Sequence, residues 1–293
     1  MNRKVTKAVI AMAGMGTRLL PATKVIPKEM VTIVDKPVVQ YLVEELVNSG
    51  IQDIIFVTRS ANGVIEDHFD SRFELEFSLK EAGKVEKFNE LKKMESAANF
   101  IYIRQKGPYG NATPLYSVRH LIDPEEPFIY MYGDDLILSD IPCTKQLIDR
   151  YESSDDIDAV MIASEVPWEE VSKYGAYKLK PGTDEIEDLV EKPTMEEAKA
   201  NLSNLVNPGR FLFPGKMLEY VDPAALGKNG ELWTVDVVRK MLKDNYKFVT
   251  QKLDGAWLTT GDPLNLLKAT LQYAMKRQEF KDDLIEFIKK EII

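Results

Sequence analysis

An apolar run that stops at glycine and is followed by two cations constrains this chain more than any other stretch. Residues 11–37 read A-M-A-G-M-G-T-R-L-L-P-A-T-K-V-I-P-K-E-M-V-T-I-V-D-K-P. The run before the glycines, Lys7 to Met12, reads as a buried first strand. Gly14 and Gly16 carry no Cβ, so main-chain N–H groups beside Ala13 can close on an anion. Arg18 adds a planar fork of donors and Lys28 a compact, movable charge. Small residues that admit phosphate, followed by cations that hold it, predict a nucleoside triphosphate site. Two common phosphate loops are excluded. Leu19 stands where the dinucleotide fingerprint needs its third glycine, and Thr17-Arg18 follow Gly16 where the P-loop needs Lys-Ser/Thr.

The periodicity after this loop predicts alternating strands and helices. Val38 to Asn48 has helical spacing ended by Ser49-Gly50, and Asp53 to Thr58 is a β-branched run of strand length. Asn62–Phe69 reads as a short helix, and Phe73–Ala97 as a helical pair broken near Gly83. Phe100–Gln105, Pro127–Tyr132 and Asp158–Ser164 read as strands, with helices over 112–121 and 143–151. Pro127–Tyr132 is almost wholly apolar, which predicts a central strand covered on both faces. From Tyr174 the texture changes. Tyr177–Lys180, Ile186–Glu191 and Gly209–Phe213 are short strands between turns and predict an antiparallel extension. Helices are predicted over 232–242 and 263–277, then a polar, amphipathic tail. No repeat or long linker divides the chain, so the expectation is one α/β domain over 1–293 whose last part, about 263–293, is a helical arm.

Ligands in open α/β sheets bind outside the carboxyl ends of the strands. Three marked loops lie there: Ala13–Arg18, Gln105–Gly110 and Gly133-Asp134-Asp135. Asp134 and Asp135 follow a buried strand, where bare carboxylates are costly unless paired or bound to metal. Magnesium takes carboxylate and phosphate oxygens, usually with one or two protein carboxylates. Asp262, in T-T-G-D-P, is either a second such ligand or a helix N-cap before Pro263. Gln105 has an amide that both donates and accepts, which suits a pyrimidine edge, and Gly110 leaves room for a base on the backbone. In D-L-V-E-K-P, strand alternation sends Glu191 and Lys192 to opposite faces, and a surface ion pair is the simpler account of them.

The string G-x-G-T-R, P-K-E-M and D-K-P resembles the signature of sugar-1-phosphate nucleotidyltransferases, in detail that of the bacterial UTP–glucose-1-phosphate uridylyltransferases. The resemblance runs from Ala8 to about Arg277, with the motifs in the family's order. It implies a Rossmann-like fold, a mixed, mostly parallel sheet flanked by helices, and transfer of UMP from UTP to a hexose 1-phosphate, most simply glucose. It further implies Mg2+ held by Asp134 and Asp262, with Arg18 and Lys28 on the triphosphate. Gln105, Gly110 and Gly133 would lie along the nucleotide. Glu191 and the Y-G turn at Tyr174-Gly175 would meet the sugar, and Lys192 its phosphate. The chain departs from the family pattern at Q-K-G-P-Y-G-N-A-T-P, where Asn111 stands near a histidine position. It departs again at G-E-L-W-T-V-D, where Trp233 replaces a small polar residue, and at Val206-Asn207-Pro208-Gly209-Arg210. Trp233 is either helical core or a new wall of the sugar pocket. The base choice between uracil and thymine stays open, as does a binding protein of the same fold without turnover.

Composition removes other classes. A net charge of −9 argues against a nucleic-acid surface. The single Cys143 excludes an internal disulfide, fits a reducing compartment and reads as structural. His68 and His120 are not at metal-ligand spacing, and nothing suggests covalent catalysis. No apolar run approaches the roughly 18–20 residues of a membrane span, so a cytoplasmic protein is expected. The tail places Leu284, Ile285, Phe287, Ile288, Ile292 and Ile293 on a stripe that needs cover, either from the domain or from another subunit. The family's habit of dimers or tetramers implies a homo-oligomer.

Overall fold

Val9 and Ile10 are adjacent, fully buried, and belong to different cores. Successive strand residues point to opposite faces, so a strand apolar on both sides must lie between two layers of helices. In the computed structural model, which describes residues 4–59 and 63–292, that strand is β1 (Lys7–Met12). Its parallel neighbours are β2 (Asp53–Thr58) and, beyond it, β3 (Asn99–Arg104) on one side. On the other side lies β4 (Pro127–Tyr132), buried along five of its six residues as its composition predicts. The helices Val38–Asn48 and Cys143–Glu152 cover one face, and Thr113–Val118 and Thr234–Lys243 the other.

Next come β5 (Asp135–Leu138), β6 (Ala159–Glu165), β7 (Gly175–Leu179), β8 (Ile186–Glu191), β9 (Leu205–Val206) and β10 (Arg210–Pro214). The last strands are β11 (Phe248–Lys252) and β12 (Ala256–Thr259). The main sheet runs β8-β7-β9-β6-β10-β4-β1-β2-β3, with β11 parallel to β6. This is the expected mixed sheet with a parallel core and an antiparallel end. One strand moves. The Gly209–Phe213 segment was expected in the peripheral extension, yet β10 is antiparallel to both β4 and β6 and sits inside the main sheet. Phe211, Leu212 and Phe213 are buried on both faces, which makes this a core strand.

Four elements carry no clear period in the sequence. β5 and β12 form a separate two-stranded ribbon, pairing Asp135 with Thr259. β11 is a strand, where no element was expected between the helices ending at Lys243 and beginning at Pro263. Met195–Asn201 is a helix closed by a reciprocal capping box between Thr194 and Glu197. The expected helix over 62–69 is described as Val64–Phe69, and Asn62 lies outside the described residues. The helical pair appears as Phe73–Glu81 and Val85–Glu95. The helix expected over 112–121 is shorter, Thr113–Val118.

The arm folds as Pro263–Lys276 followed by Gln278–Glu291. None of the residues of the second helix is fully buried; Leu284, Ile285 and Ile288 are half-buried, so its own chain covers the stripe only in part. Phe287 is 54% and Ile292 66% exposed, and Leu264, Leu267 and Leu271 add an exposed row on the first helix. Ile293 lies outside the described residues. No helix among the described residues is long and apolar enough to cross a membrane.

Candidate active site

Two cavities open side by side at the carboxyl ends of β1 and β4. One, about 450 Å3, is lined by Ala13, Gly14, Lys28, Gln105 and Gly110 among others. The second, about 600 Å3, is lined by Arg18, Gly175, Glu191, Lys192 and Asp262. Asn111, Tyr132, Asp134 and Trp233 belong to both linings, so the two cavities meet at Asp134. Of the residues expected to hold nucleotide, Ala13, Gly14, Gln105 and Gly110 line the smaller lobe, while those expected to hold sugar line the larger one together with Arg18.

Asp134 is reached from both strands and sequence ends. The ribbon pairing of Asp135 with Thr259 brings Thr260-Gly261-Asp262 alongside, and Thr260 donates to the Asp134 carbonyl through its N–H at 2.8 Å and its hydroxyl at 2.9 Å. Gly261 lies close against both groups: a Cβ there would sit 2.8 Å from Arg18 Nη2 and 3.2 Å from Asp134 Oδ2, and the end of the arginine would have to shift. The Lys28 ammonium donates to Asp134 Oδ2 at 2.5 Å. Burial pushes the Asp134 carboxyl up, but Lys28 and then Arg18 outweigh it and hold it below its ordinary range. Burial likewise disfavours the Lys28 charge, and Asp134 followed by Glu29 more than restores it. Both groups are therefore charged at neutral pH.

Glu29, a neighbour of Lys28 that sequence reading passed over, is fully buried, with neither carboxylate oxygen hydrogen-bonded. Its nearest charge is the Lys28 ammonium at 3.9 Å. Burial raises its carboxyl to about 8 despite that cation. Lys28 thus lies between a bridged carboxylate that faces the cavities and a buried acid behind it.

Asp135 departs from Asp134 in character. Its Oδ1 accepts from the Trp257 indole at 2.8 Å, and burial, then the Asp134 charge, push it up to about 6. It orients the ribbon. Asp262 is the N-cap of Pro263–Lys276, accepting from the Asn265 N–H at 3.1 Å and its amide at 2.6 Å. The capping account is therefore correct for Asp262, and its carboxylate still lines the larger cavity. Among the described residues no group of three or more His, Cys, Asp and Glu could hold a metal. Two carboxylates on one cavity, with phosphates to complete the shell, is nevertheless a donor set that suits magnesium.

Several expected residues do something else. Gly16 (φ +62°) and Gly133 lie outside both linings. A Cβ on Gly133 would come 2.8 Å from Met12, 2.9 Å from the Ala11 carbonyl and 3.0 Å from Glu29, so this glycine lets β4 pass under the loop. Gly110 lines the smaller cavity, and its missing Cβ serves a backbone contact. A Cβ there would sit 2.0 Å from the Leu232 carbonyl oxygen, so the space is already filled by another backbone. Asn111 caps from a distance, its Oδ1 accepting from the Thr234 N–H at 2.7 Å at the head of Thr234–Lys243. Lys192 does not turn away from Glu191. It follows the last residue of β8 with φ +45°, which breaks the alternation and puts both side chains on the larger cavity. Gly175 packs against that pair, since its Cβ would lie 3.2 Å from Glu191 Oε2. Burial raises the Glu191 carboxyl, with Lys192 opposing. His68 shares a hydrogen bond with Gln40, and Cys143 is buried, as their structural reading requires.

Comparison with known proteins matches residues 7–276 to the family described as Nucleotidyl transferase. The chain belongs to that family. It is 38% identical over 292 residues to a UTP–glucose-1-phosphate uridylyltransferase of Bacillus subtilis (strain 168), covering 98% of this chain and 97% of that protein. Among solved structures it is similar to a UTP-bound UGPase of Acinetobacter baumannii, at TM-score 0.87 and 31% identity over 98% of this chain and 100% of that one. A UDP-glucose pyrophosphorylase complexed with UDP-glucose matches at TM-score 0.79 and 33% identity, over 94% of this chain and 100% of the other. The nucleotidyltransferase fold expected from the opening loop is the fold observed.

Proposed function

We propose that this chain makes UDP-glucose and pyrophosphate from UTP and glucose 1-phosphate. The observation that carries the reading is the junction of two cavities at Asp134, one lined by the glycine loop and one by the Glu191-Lys192 turn. The relatives named for UTP, glucose 1-phosphate and UDP-glucose support the same substrates. In this reading UTP lies along Ala13, Gly14, Gln105 and Gly110, with Gly16 and Gly133 shaping the loop behind it. Glucose 1-phosphate enters beside Gly175 and Glu191, with Lys192 on its phosphate. A phosphate oxygen of the sugar attacks the α-phosphorus of UTP in line. A P–O bond forms there, and the bond to the bridging oxygen breaks as pyrophosphate leaves with the electron pair.

Such transfer needs positioning and charge neutralisation more than proton transfer. Lys28, fixed by its bridge to Asp134, and Arg18, on the wall of the larger cavity, supply positive charge. Asp134 and Asp262 would hold Mg2+, which when bound neutralises phosphate oxygens and orients them. The deciding experiment is initial-rate pyrophosphate release with glucose 1-phosphate and either UTP or dTTP, with and without magnesium. The expected result is magnesium-dependent release with UTP, at least about tenfold faster than with dTTP, as one well-placed base contact allows. Equal or faster release with dTTP removes the uracil assignment, and silence with both removes the enzyme.

The arm belongs to the same reading. The exposed row Leu264, Leu267 and Leu271, with Phe287 on the next helix, is apolar surface that a second copy of the chain would cover. Light scattering is expected to report a dimer or larger assembly. A monomer at assay concentration excludes it.

A further inference from the structure

Lys192 stands in a backbone conformation that residues with a Cβ rarely adopt, at φ +45°. Something must hold it there, and the contacts form a closed ring. The Lys192 N–H donates to the Tyr174 carbonyl at 3.0 Å, which ties one side of the residue. The Lys228 ammonium donates to the Lys192 carbonyl at 3.1 Å, which ties the other. The Trp233 indole N–H donates to the Lys228 carbonyl at 2.9 Å, and the Lys192 ammonium lies 4.8 Å from the centre of the Trp233 ring. Gly227 closes the turn onto the indole, because a Cβ there would sit 3.1 Å from Trp233 Cδ1. Trp233 is 8% exposed, whereas the Lys192 side chain is 48% exposed.

We propose that Trp233 and Lys228 are positioning residues that aim the Lys192 ammonium at the phosphate of the incoming sugar. The chemistry favours an aromatic face for this task. Glu191 also pairs with that ammonium, at 3.7 Å, but a carboxylate that holds the lysine partly offsets its charge. An indole face attracts the ammonium through its quadrupole and leaves the positive charge whole for a phosphate. The exposed ammonium, tethered over a buried ring, keeps its direction without losing its access to solvent and ligand. The residue by which this chain departs from its family's pattern therefore acts through the family's own lysine. The inference rests on the reading of Lys192 as the sugar-phosphate cation.

The test is a set of steady-state measurements on Trp233→Leu, Trp233→Phe, Lys228→Met, Lys192→Met and the double variant Trp233→Leu/Lys192→Met. Trp233→Leu is expected to raise KM for glucose 1-phosphate about tenfold, the scale of a partly desolvated cation–π contact with its hydrogen bond. KM for UTP should stay within about twofold, which a general loss of structure would not allow. Trp233→Phe keeps an aromatic face and should recover most of the loss, while Lys228→Met, an exposed change, should raise the same KM about threefold. In the double variant, removal of the indole should add less than about twofold to the effect of Lys192→Met. Additive effects would mean that Trp233 touches the sugar itself, and would overturn the positioning role. Unchanged KM in both Trp233→Leu and Lys228→Met, with Lys192→Met impaired, would overturn it as well. An unimpaired Lys192→Met would overturn the role of Lys192 and this inference with it.

Discussion

Lys28→Met is expected to lower kcat by about 10²–10³-fold while the dissociation constant for UTP changes by less than about tenfold. The side chain donates to Asp134 at 2.5 Å and has Glu29 at 3.9 Å behind it, so its ammonium is held where the two cavities meet. A preorganised charge in a partly closed site acts most strongly on charge that develops during bond breaking, and less on the ground state. In the proposed reading the triphosphate still lies along the glycine loop at Ala13 and Gly14, which should preserve binding. Methionine keeps the length of the chain but leaves Asp134 without the cation that bridges it. The measurement is single-turnover pyrophosphate release at saturating UTP, set beside UTP binding by calorimetry. If kcat holds and only binding weakens, Lys28 contributes equally to bound substrate and transition state, and its role in the chemical step is lost.

Arg210→Met is expected to destabilise the protein by about 3–5 kcal/mol, which lowers the thermal midpoint by roughly 10 °C. Arg210 is fully buried. It donates through Nη2 to the Asp135 carbonyl at 2.5 Å and to Glu45 at 3.2 Å, and through Nη1 to the Gly209 carbonyl at 3.2 Å. Removing it leaves the Glu45 carboxylate buried, with only the Thr144 N–H and hydroxyl to satisfy it. An uncompensated buried charge is the expensive outcome, so Glu45→Gln combined with Arg210→Met should recover part of the loss. Arg210 also anchors the strand that begins at Asp135, and the folded remainder should therefore lose activity through a loosened Asp134. Denaturant unfolding measures the stability term. A loss under about 1 kcal/mol would mean that water or a shifted Glu45 replaces the arginine, and that the loop does not depend on it.

Much of the architecture was legible in the chain because it is local. Val38–Asn48 begins and ends where its apolar spacing and Ser49-Gly50 place it, and Pro127–Tyr132 is buried as an unbroken apolar run must be. The site was legible in outline for the same reason, since glycines and cations at strand ends announce themselves without reference to partners. What escaped depends on distant partners. β5 and β12 are four residues each and become strands only by pairing with one another across more than a hundred positions. Nothing local marks Arg210 as buried, because Glu45 and the Asp135 carbonyl that hold it lie far away in the chain. Glu29 shows no periodic signal at all, because its burial comes from residues distant in the chain, Gly133 among them.

Lys192 shows the limit most clearly. Period-two alternation sends it away from Glu191, and one left-handed residue reverses that, held by contacts from Tyr174, Lys228 and Trp233. The sequence by itself determined the strand–loop–helix order, the glycine-and-cation make-up of residues 13–28 and the set of charged groups available, because these follow from side-chain chemistry and near-neighbour spacing. Only the tertiary structure decided that Asp134 and Asp262 share one cavity, that Gly110 and Gly133 serve backbone crossings, and that Trp233 faces Lys192. Those facts depend on which distant segments pack together, and packing is settled by the whole core rather than by any one stretch of chain.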